Sequence, residues 1–168
     1  APSIADGQRA LAEREFAALA DLAASDGDVT PETLLEDLGE ILWNHAGILR
    51  DEAGLREGLD RLEDLRARTA DLRVDGDRTS RSFEYAVDLS MSLIVAEVLL
   101  RTALERTESR GAHYRTDYPK TDPDWRQNLI VAADEGGLSL QRRGVAEPSE
   151  PVREALAEGY ELDYHHLE

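Results

Sequence analysis

The sequence predicts an all-α fold, an antiparallel three-helix bundle with spectrin repeat-like proportions, followed by an irregular C-terminal tail with a candidate β-hairpin. Leu and Ala recur at three- and four-residue steps over three long stretches, the spacing that places apolar side chains on one face of a helix. The 168 residues include two Phe, five Tyr and two Trp, so aliphatic packing must fill the core. The helical spacing ends near Pro119, which separates the bundle from the tail.

A first helix is predicted over residues 9–24, where apolar residues alternate with charges at helical period until a Ser-Asp-Gly-Asp stretch ends the pattern. The next helix begins after Thr30. Thr is a favoured N-cap, Pro31 suits the first helical position, and Glu32 faces the positive end of the helix dipole. The apolar stripe of this helix continues to Leu49, and residues 50–54 kink or interrupt it.

Two more helices complete the predicted bundle. One runs over residues 55–72 with charges on its outer side, and it ends near a Val-Asp-Gly-Asp stretch. The other is the longest, over residues 79–108, and its apolar stripe widens between Met91 and Leu100. We therefore expect this last helix to be the central and most buried element of the bundle.

The pattern changes after Pro119. Residues 127–133 and 138–142 are two stretches with strand-like composition that flank Asp-Glu-Gly-Gly, which is typical of a β-hairpin with a glycine turn, so the candidate hairpin covers residues 127–142. These patterns divide the chain into a helical bundle domain, residues 1–118, and an extended C-terminal tail, residues 119–168. The last stretch, from Tyr160, is expected to pack only against a partner.

The chain carries a formal net charge of −17, and of its 19 basic residues only Lys120 is a lysine. Such self-repulsion destabilises a compact state unless salt screens it, which indicates adaptation to a salt-rich cytoplasm; an ordinary acidic protein is the alternative. The same charge disfavours binding to nucleic acid and to anionic lipid.

Cysteine is absent, which excludes disulfides and iron–sulfur clusters within the chain. The apolar runs are too short for a membrane span, so we expect a cytoplasmic protein without direct membrane insertion.

The most informative stretch follows the longest helix. Residues 108–119 read Glu-Ser-Arg-Gly-Ala-His-Tyr-Arg-Thr-Asp-Tyr-Pro and place two arginines and a histidine around one glycine. This stretch resembles the motif that follows the last long helix in the C-terminal domain of succinate dehydrogenase and fumarate reductase flavoprotein subunits. The resemblance extends forwards through an Asp-rich turn to Trp125, and backwards through the helices to about Pro31.

The resemblance implies the same helical fold and a parent enzyme that moves two electrons and two protons between succinate and fumarate through FAD. None of the twelve glycines belongs to a G-x-G-x-x-G turn, which would bring backbone amides to the pyrophosphate of a flavin. We therefore assign no catalytic, cofactor-binding or metal residue, and we expect this segment alone to be inactive. The implied partners are the flavin-binding domain of the same polypeptide and the iron–sulfur subunit of a complex on the cytoplasmic face of the membrane.

Succinate dehydrogenase is the preferred interpretation, and three alternatives stay open. Fumarate reductase has the same pattern, because the physiological direction depends on the quinone and the partners. L-aspartate oxidase carries a similar Ser-Arg-Gly motif, but Ala112 and Arg115 favour the dicarboxylate dehydrogenases. A free-standing helical interaction protein that reuses the domain is the alternative from a different class.

The reacting arginines and histidines of this family lie in its flavin and capping domains, so we predict that the motif docks the helical domain on the flavin domain. Arg110 and Arg115 are the predicted anchor for a carboxylate. Local ion pairing and direct substrate contact are the alternatives, and the candidate partners for local pairing are Asp117, Asp122 and Asp124.

The other residues of the motif have predicted roles as well. Gly111 is expected to take a positive φ as the chain leaves the helix. His113 is interpreted as a hydrogen-bonded structural residue, with titration near neutral pH as the alternative. The aromatic residues either contribute to the interface or close the end of the bundle. The predicted domain-docking residues are Arg110, Gly111, His113, Arg115, Asp117, Tyr118 and Trp125.

The charge generates a testable prediction. The melting temperature of the purified chain should rise as KCl increases from about 0.1 M to about 2 M, because the screening length for carboxylate repulsion falls from about 10 Å to below about 3 Å. Thermal unfolding followed by circular dichroism measures this dependence. A melting temperature that stays flat or falls would remove the salt-adaptation hypothesis and leave the family resemblance untouched.

Overall fold

A computed structural model describes residues 6–134 and 137–157 of the chain. The predicted fold class, helical with small strands in the tail, is confirmed. Two short 3-10 turns are also present: Thr69–Asp71 follows the third helix, and Pro123–Trp125 precedes the hairpin. In chain order, the helices and strands are α1 (Asp6–Ala23), α2 (Pro31–Ala46), β1 (Leu49–Arg50), α3 (Glu52–Arg68), α4 (Arg81–Glu105), β2 (Tyr114–Arg115), β3 (Gln127–Asp134), β4 (Gly137–Gly144) and α5 (Glu150–Ala157).

The bundle consists of α2, α3 and α4, each of which packs against the other two. At Gly58 of α3, an added Cβ atom would lie 2.7 Å from His45 Cβ and 2.9 Å from Leu100 Cδ2, so the three helices approach too closely there for a larger residue. The core is aliphatic, as the scarcity of aromatic residues predicts. Its buried helical residues are Leu34, Leu38, Ala46, Leu55, Leu62, Leu65, Ala86, Leu89, Leu93, Ala96, Leu100 and Ala103.

Side-chain caps begin each bundle helix. The Thr30 side chain accepts a hydrogen bond from the Thr33 amide at 3.3 Å, and Pro31 occupies the first turn, which confirms the predicted start of α2. Asp51 accepts from the Gly54 amide at 2.7 Å before α3, and Ser80 caps α4 in the same manner. These bonds satisfy backbone N–H groups that have no partner within the helix.

The end of α2 differs from the prediction. The helix ends at Ala46, and Leu49, predicted on its apolar stripe, belongs instead to β1 and is 66% exposed. The predicted position of Leu49 is therefore wrong. The physical reason is that β1 pairs in parallel with β2, so its backbone bonds to the loop after α4 rather than extending the helix.

The prediction for α4 is confirmed in position and in its rank as the most buried bundle helix, with seven buried residues against four each in α2 and α3, but the expected location of that burial is wrong. The helix covers Arg81–Glu105, but its widest apolar region is not the most buried one: Met91, Ile94, Val95 and Leu99 are exposed. A helix that is apolar around its circumference has more apolar surface than α2 and α3 can cover.

Neither α4 nor any other helix of the described residues combines the length and apolarity that a membrane span needs.

The predicted hairpin is confirmed and extends two residues further than expected. Strands β3 and β4 are antiparallel, with Gln127 opposite Gly144, and Gly137 has a φ of +105° at the turn. The predicted terminal stretch from Tyr160 lies outside the described residues. The division of the chain at residue 118 stays a prediction.

Candidate functional site

The loop that follows α4 returns across the end of the bundle. Strand β2 pairs with β1, and the Thr116 amide donates to the Arg50 carbonyl at 2.7 Å. Arg110 and His113 exchange two backbone hydrogen bonds of 2.8 and 3.0 Å around a tight turn. Gly111 has a φ of +57° in this turn, which confirms its predicted conformation. The motif is therefore a folded loop with its own hydrogen bonds.

Arg115 is buried and closes the carboxyl end of α4. Its Nη1 group donates to the carbonyl oxygens of Ala103 at 3.0 Å and Leu104 at 3.1 Å, and more weakly to that of Arg106 at 3.4 Å. The last carbonyls of a helix have no intrahelical partners and carry the negative end of the dipole. A buried guanidinium at this point supplies both the donors and the positive charge.

The second face of the Arg115 guanidinium forms a two-bond pair with Asp117. Nε and Nη2 donate to the two carboxylate oxygens at 2.7 and 2.6 Å. Asp117 Oδ2 also accepts from the Glu52 amide at 2.9 Å, in the first turn of α3. Hydrogen bonds from Arg115 lower the pKa of Asp117 to about 2. The pair thus joins the end of α4 to the beginning of α3.

Glu108 is a fully buried carboxylate within the same loop. It accepts from Arg106 Nη1 at 2.6 Å, from Arg110 Nε at 2.8 Å and Nη2 at 3.1 Å, and from the Asp122 amide at 2.8 Å. Hydrogen bonds from Arg110 lower the pKa of Glu108 to about 2, although burial of the carboxylate acts in the opposite direction. The carboxylate is ionised and balances two guanidinium groups.

Trp125 joins the hairpin segment to the bundle. Its ring is buried, with the Arg106 guanidinium 5.0 Å from the ring centroid and the Arg142 guanidinium 3.9 Å away. The indole Nε1 donates to Thr107 Oγ1 at 3.0 Å. Arg106 also donates to the Gln127 carbonyl at 2.7 Å, at the start of β3. Cation–π contacts and these hydrogen bonds fix the beginning of the hairpin to the end of α4.

His113 is a neutral, hydrogen-bonded residue in this arrangement. Its Nδ1 lies 3.2 Å from Arg50 Nη1, which can only donate, and its Nε2 lies 3.3 Å from the Arg106 carbonyl, which can only accept. These partners assign the proton to Nε2. Burial lowers the pKa of His113, and the charges of Arg50, Arg106 and Arg115 act in the same direction.

The predicted docking residues differ in how much exposed surface they keep. Arg115 and Trp125 are buried within the chain, so neither side chain has surface left for another domain; the structure gives both an internal role instead. His113 is half-buried. For the residues that keep exposed surface, docking stays a prediction: Arg110, whose side chain is 43% exposed, Gly111, Asp117 and Tyr118.

Local ion pairing was the alternative role for Arg110 and Arg115, and both arginines form ion pairs within the chain. Arg115 pairs with Asp117, one of the three proposed partners, whereas Arg110 pairs with Glu108. Sequence reasoning gave Glu108 no role. Glu108 could have been identified from its pattern, because it lies two residues from each of two arginines and directly after an apolar helix.

In residues 6–134 and 137–157, no three His, Asp or Glu side chains converge as a candidate metal site.

Comparisons with known proteins identify the family that this chain matches and several of its relatives. Residues 35–155 match the family described as fumarate reductase flavoprotein C-term. One chain of the CoM/CoB fumarate reductase of Methanothermobacter marburgensis is 34% identical over 125 residues, which cover 73% of this chain and 22% of that protein. The L-aspartate oxidase of Pyrococcus furiosus is 41% identical over 100 residues, which cover 60% of this chain and 17% of that protein.

A solved structure supports the same relationship. The Mycobacterium smegmatis Sdh1 complex in its apo form matches with a TM-score of 0.77 at 28% identity, and the match covers 98% of this chain and 29% of that one. This chain spans about a fifth of the length of the two curated relatives.

The buried carboxylate generates a prediction. Glu108→Gln should lower the free energy of unfolding by about 3–5 kcal/mol, because Arg106 and Arg110 would keep their charges without a carboxylate between them. Glu147→Gln, in an exposed loop, is the matched control and should change the free energy by less than about 0.5 kcal/mol. Urea unfolding at pH 7 measures both. An equal effect of the two substitutions would show that Glu108 does not hold the loop.

The same variant has an expected pH dependence. The folded-state pKa of Glu108 is about 2, below its ordinary value of 4.5, so its contribution is fully present above pH 4.5 and is lost as the pH falls towards 2. The difference in stability between the unsubstituted protein and Glu108→Gln should therefore be constant above that window and shrink within it. A difference that grows on acidification would contradict the assignment.

Proposed function

This chain belongs to the fumarate reductase flavoprotein C-terminal family, the C-terminal domain of the succinate dehydrogenase and fumarate reductase flavoproteins, and we propose that it is the non-catalytic docking domain of an FAD-dependent dicarboxylate oxidoreductase. In this role it packs against the flavin-binding domain of the same polypeptide through the loop after α4. The whole parent enzyme would pass electrons from FAD to an iron–sulfur subunit.

The observation that carries this proposal is the two-sided construction of the loop. On its inner side, Glu108 and Arg115 are buried and fully hydrogen-bonded, so the loop is held in one conformation. On its outer side, Arg110, Tyr114 and Tyr118 keep exposed surface. Arginine and tyrosine are enriched at protein interfaces, and a rigid support lowers the entropy cost of docking.

The described residues do not fit an FAD-binding role. Glycines with positive φ occur at Gly76, Gly111 and Gly137, in three separate turns, and none of these turns joins a strand to a following helix as a dinucleotide site requires. The parallel β1–β2 pair has two residues in each strand, and β2 belongs to the loop after α4, so the pair is not followed by a crossover helix of a dinucleotide site. FAD would therefore be held by the remainder of the longer polypeptide.

Within the family, we propose succinate oxidation as the reaction of the parent enzyme. Ala112 and Arg115 favour a dicarboxylate dehydrogenase, and the buried role of Arg115 gives that residue a structural reason to be arginine. L-aspartate oxidase is the second candidate, favoured by the 41% identity to the Pyrococcus furiosus enzyme. Assays of the full-length protein with succinate, fumarate and L-aspartate distinguish the two candidates and the fumarate reductase direction.

The setting of the parent enzyme is part of the proposal. We place it at the cytoplasmic face of a membrane, as one component of a complex, in a salt-rich cell. The charge of −17 and the single lysine support the salt-rich setting.

Substitution of the outer arginine tests the docking role. In the full-length protein, Arg110→Ala and Tyr118→Ala should each accelerate the loss of FAD by about tenfold or more, because the flavin domain would lose a contact, while the KM of the FAD-replete fraction stays unchanged. Arg110→Ala also removes one partner of the buried Glu108 carboxylate, so the docking role requires that both variants show the effect. Arg143→Ala, an exposed arginine on β4, is the control. Circular dichroism of the isolated chain checks that Arg110→Ala still folds.

Two outcomes would overturn the docking role. An FAD-replete, fully assembled Arg110→Ala enzyme with collapsed turnover would place Arg110 at the reacting substrate. Unchanged FAD retention and unchanged assembly in both Arg110→Ala and Tyr118→Ala would show that the exposed side of the loop contacts no other domain.

A further inference from the structure

A groove of about 500 Å³ opens between the second half of α4, the end of β1 and strand β3. Its apolar walls come from two elements: Val98 and Leu99 on α4, and Leu129 and Val131 on β3. Leu129 and Val131 are two residues apart in a strand and therefore point to the same side of the hairpin. The polar part of the groove is formed by arginines and a histidine, Arg50, Arg106 and His113.

Arg50 differs from the other arginines with restricted exposure. Its Nε donates to the Ala46 carbonyl at 3.1 Å and its Nη1 to His113 Nδ1 at 3.2 Å, and no carboxylate of the described residues forms an ion pair with it. By contrast, Arg73, Arg106 and Arg115 each pair with a carboxylate. Removing a guanidinium from water without a counter-charge costs free energy, so a carboxylate supplied from outside would be stabilised there.

The charge of the groove is opposite to that of the molecule. The chain has 36 acidic residues among 168, yet none of the acidic residues that the structure describes lines this groove. Another surface cleft contains three carboxylates, Asp37, Glu40 and Asp64, beside Arg61 and Arg68, so carboxylates line that cleft and not this groove. The groove is therefore a local site for a negatively charged group on a protein that otherwise repels one.

The groove continues into exposed apolar surface. Leu99 is one of its lining residues, and Val95 and Met91 follow at four-residue steps on the same face of α4, where all three are exposed. Ile48 and Leu49, next to Arg50 in the chain, are exposed as well. Exposed apolar side chains grouped on one helix face beside a groove are typical of an interaction surface. Its occupant must bring apolar side chains together with one negative charge.

We propose that this groove receives an apolar segment of the polypeptide that precedes this chain in the full-length protein, and that one Asp or Glu of that segment pairs with Arg50. The inference rests on the proposed docking function and adds a second contact surface to it. Two observations support a preceding segment as the occupant. This chain spans about a fifth of the length of its curated relatives, and it matches a family described as C-terminal, so most of such a protein would precede it.

A second copy of this chain is a poorer occupant. Two copies would each bring a charge of −17, and their mutual repulsion opposes association. A preceding segment of the same polypeptide would be tethered near the groove, which raises its effective concentration.

Photo-crosslinking in the full-length protein tests this assignment. A photoreactive amino acid at Leu99 should crosslink within the polypeptide to a segment that precedes residue 1 and contains an Asp or Glu near the crosslinked site. The same label at Phe16, an exposed residue of α1 that does not line the groove, is the control and should not give that product. Arg50→Glu should abolish the Leu99 product, and substitution of the identified acidic residue by Arg should restore it.

The outcomes separate this inference from the docking function. If a label at Tyr118 crosslinks to the preceding polypeptide and a label at Leu99 does not, the groove assignment is wrong and docking through the loop stands. If neither label does, both are wrong. A Leu99 product that joins two copies or a different protein, or that survives Arg50→Glu, also overturns the assignment. If Arg50→Glu fails to fold, Arg50→Gln replaces it and should also abolish the product.

Discussion

The Arg115 guanidinium satisfies the carboxyl end of α4, pairs with Asp117, and through Asp117 reaches the first turn of α3. The arrangement of the end of the bundle depends on this one side chain. Burying an ion pair costs several kcal/mol of desolvation for each ion, and the cost is offset when the remaining donors and acceptors are also bonded. Arg115 meets that condition, because Nε, Nη1 and Nη2 all donate. Loss of its partner would leave a positive charge in the core.

Glu108 repeats this arrangement in the next part of the loop. It is buried between Arg106 and Arg110, and Arg106 in turn contacts Trp125 and the start of β3. The two ion-pair clusters lie at the same end of the bundle and connect α3, α4 and the hairpin. The domain thus has an aliphatic core along its length and a charged, hydrogen-bonded closure at one end. That closure supports the exposed half of the loop and the neighbouring groove, the two surfaces that we propose for docking.

Features that depend on local chemistry could be predicted from the sequence. The Thr-Pro start of α2, the positive φ of Gly111 and the glycine hairpin follow from backbone preferences that need no knowledge of neighbouring elements. Leu49 was misplaced because its pairing partner, Tyr114, is distant in sequence. α4 is the most buried bundle helix as expected, but the exposure of Met91 and Val95 could not be predicted, because periodicity shows which residues are apolar and does not show how much of that surface two neighbouring helices cover. The internal roles of Arg115 and Glu108 depend on a loop that returns to the helix end, which spacing alone does not predict.

The central claim is that the loop after α4 is a structural part of the bundle, held by Arg115 and Glu108. Native-state hydrogen exchange of two amides in the isolated chain tests it most directly: the Arg115 amide, which donates to Ser109 Oγ at 2.9 Å, and the Asp122 amide, which donates to Glu108 at 2.8 Å. Both amides should have the same opening free energy and denaturant dependence as core amides of α4, because the loop opens only with global unfolding. Exchange about a hundredfold faster than in α4, with no denaturant dependence, would show that the loop opens locally and would contradict the claim.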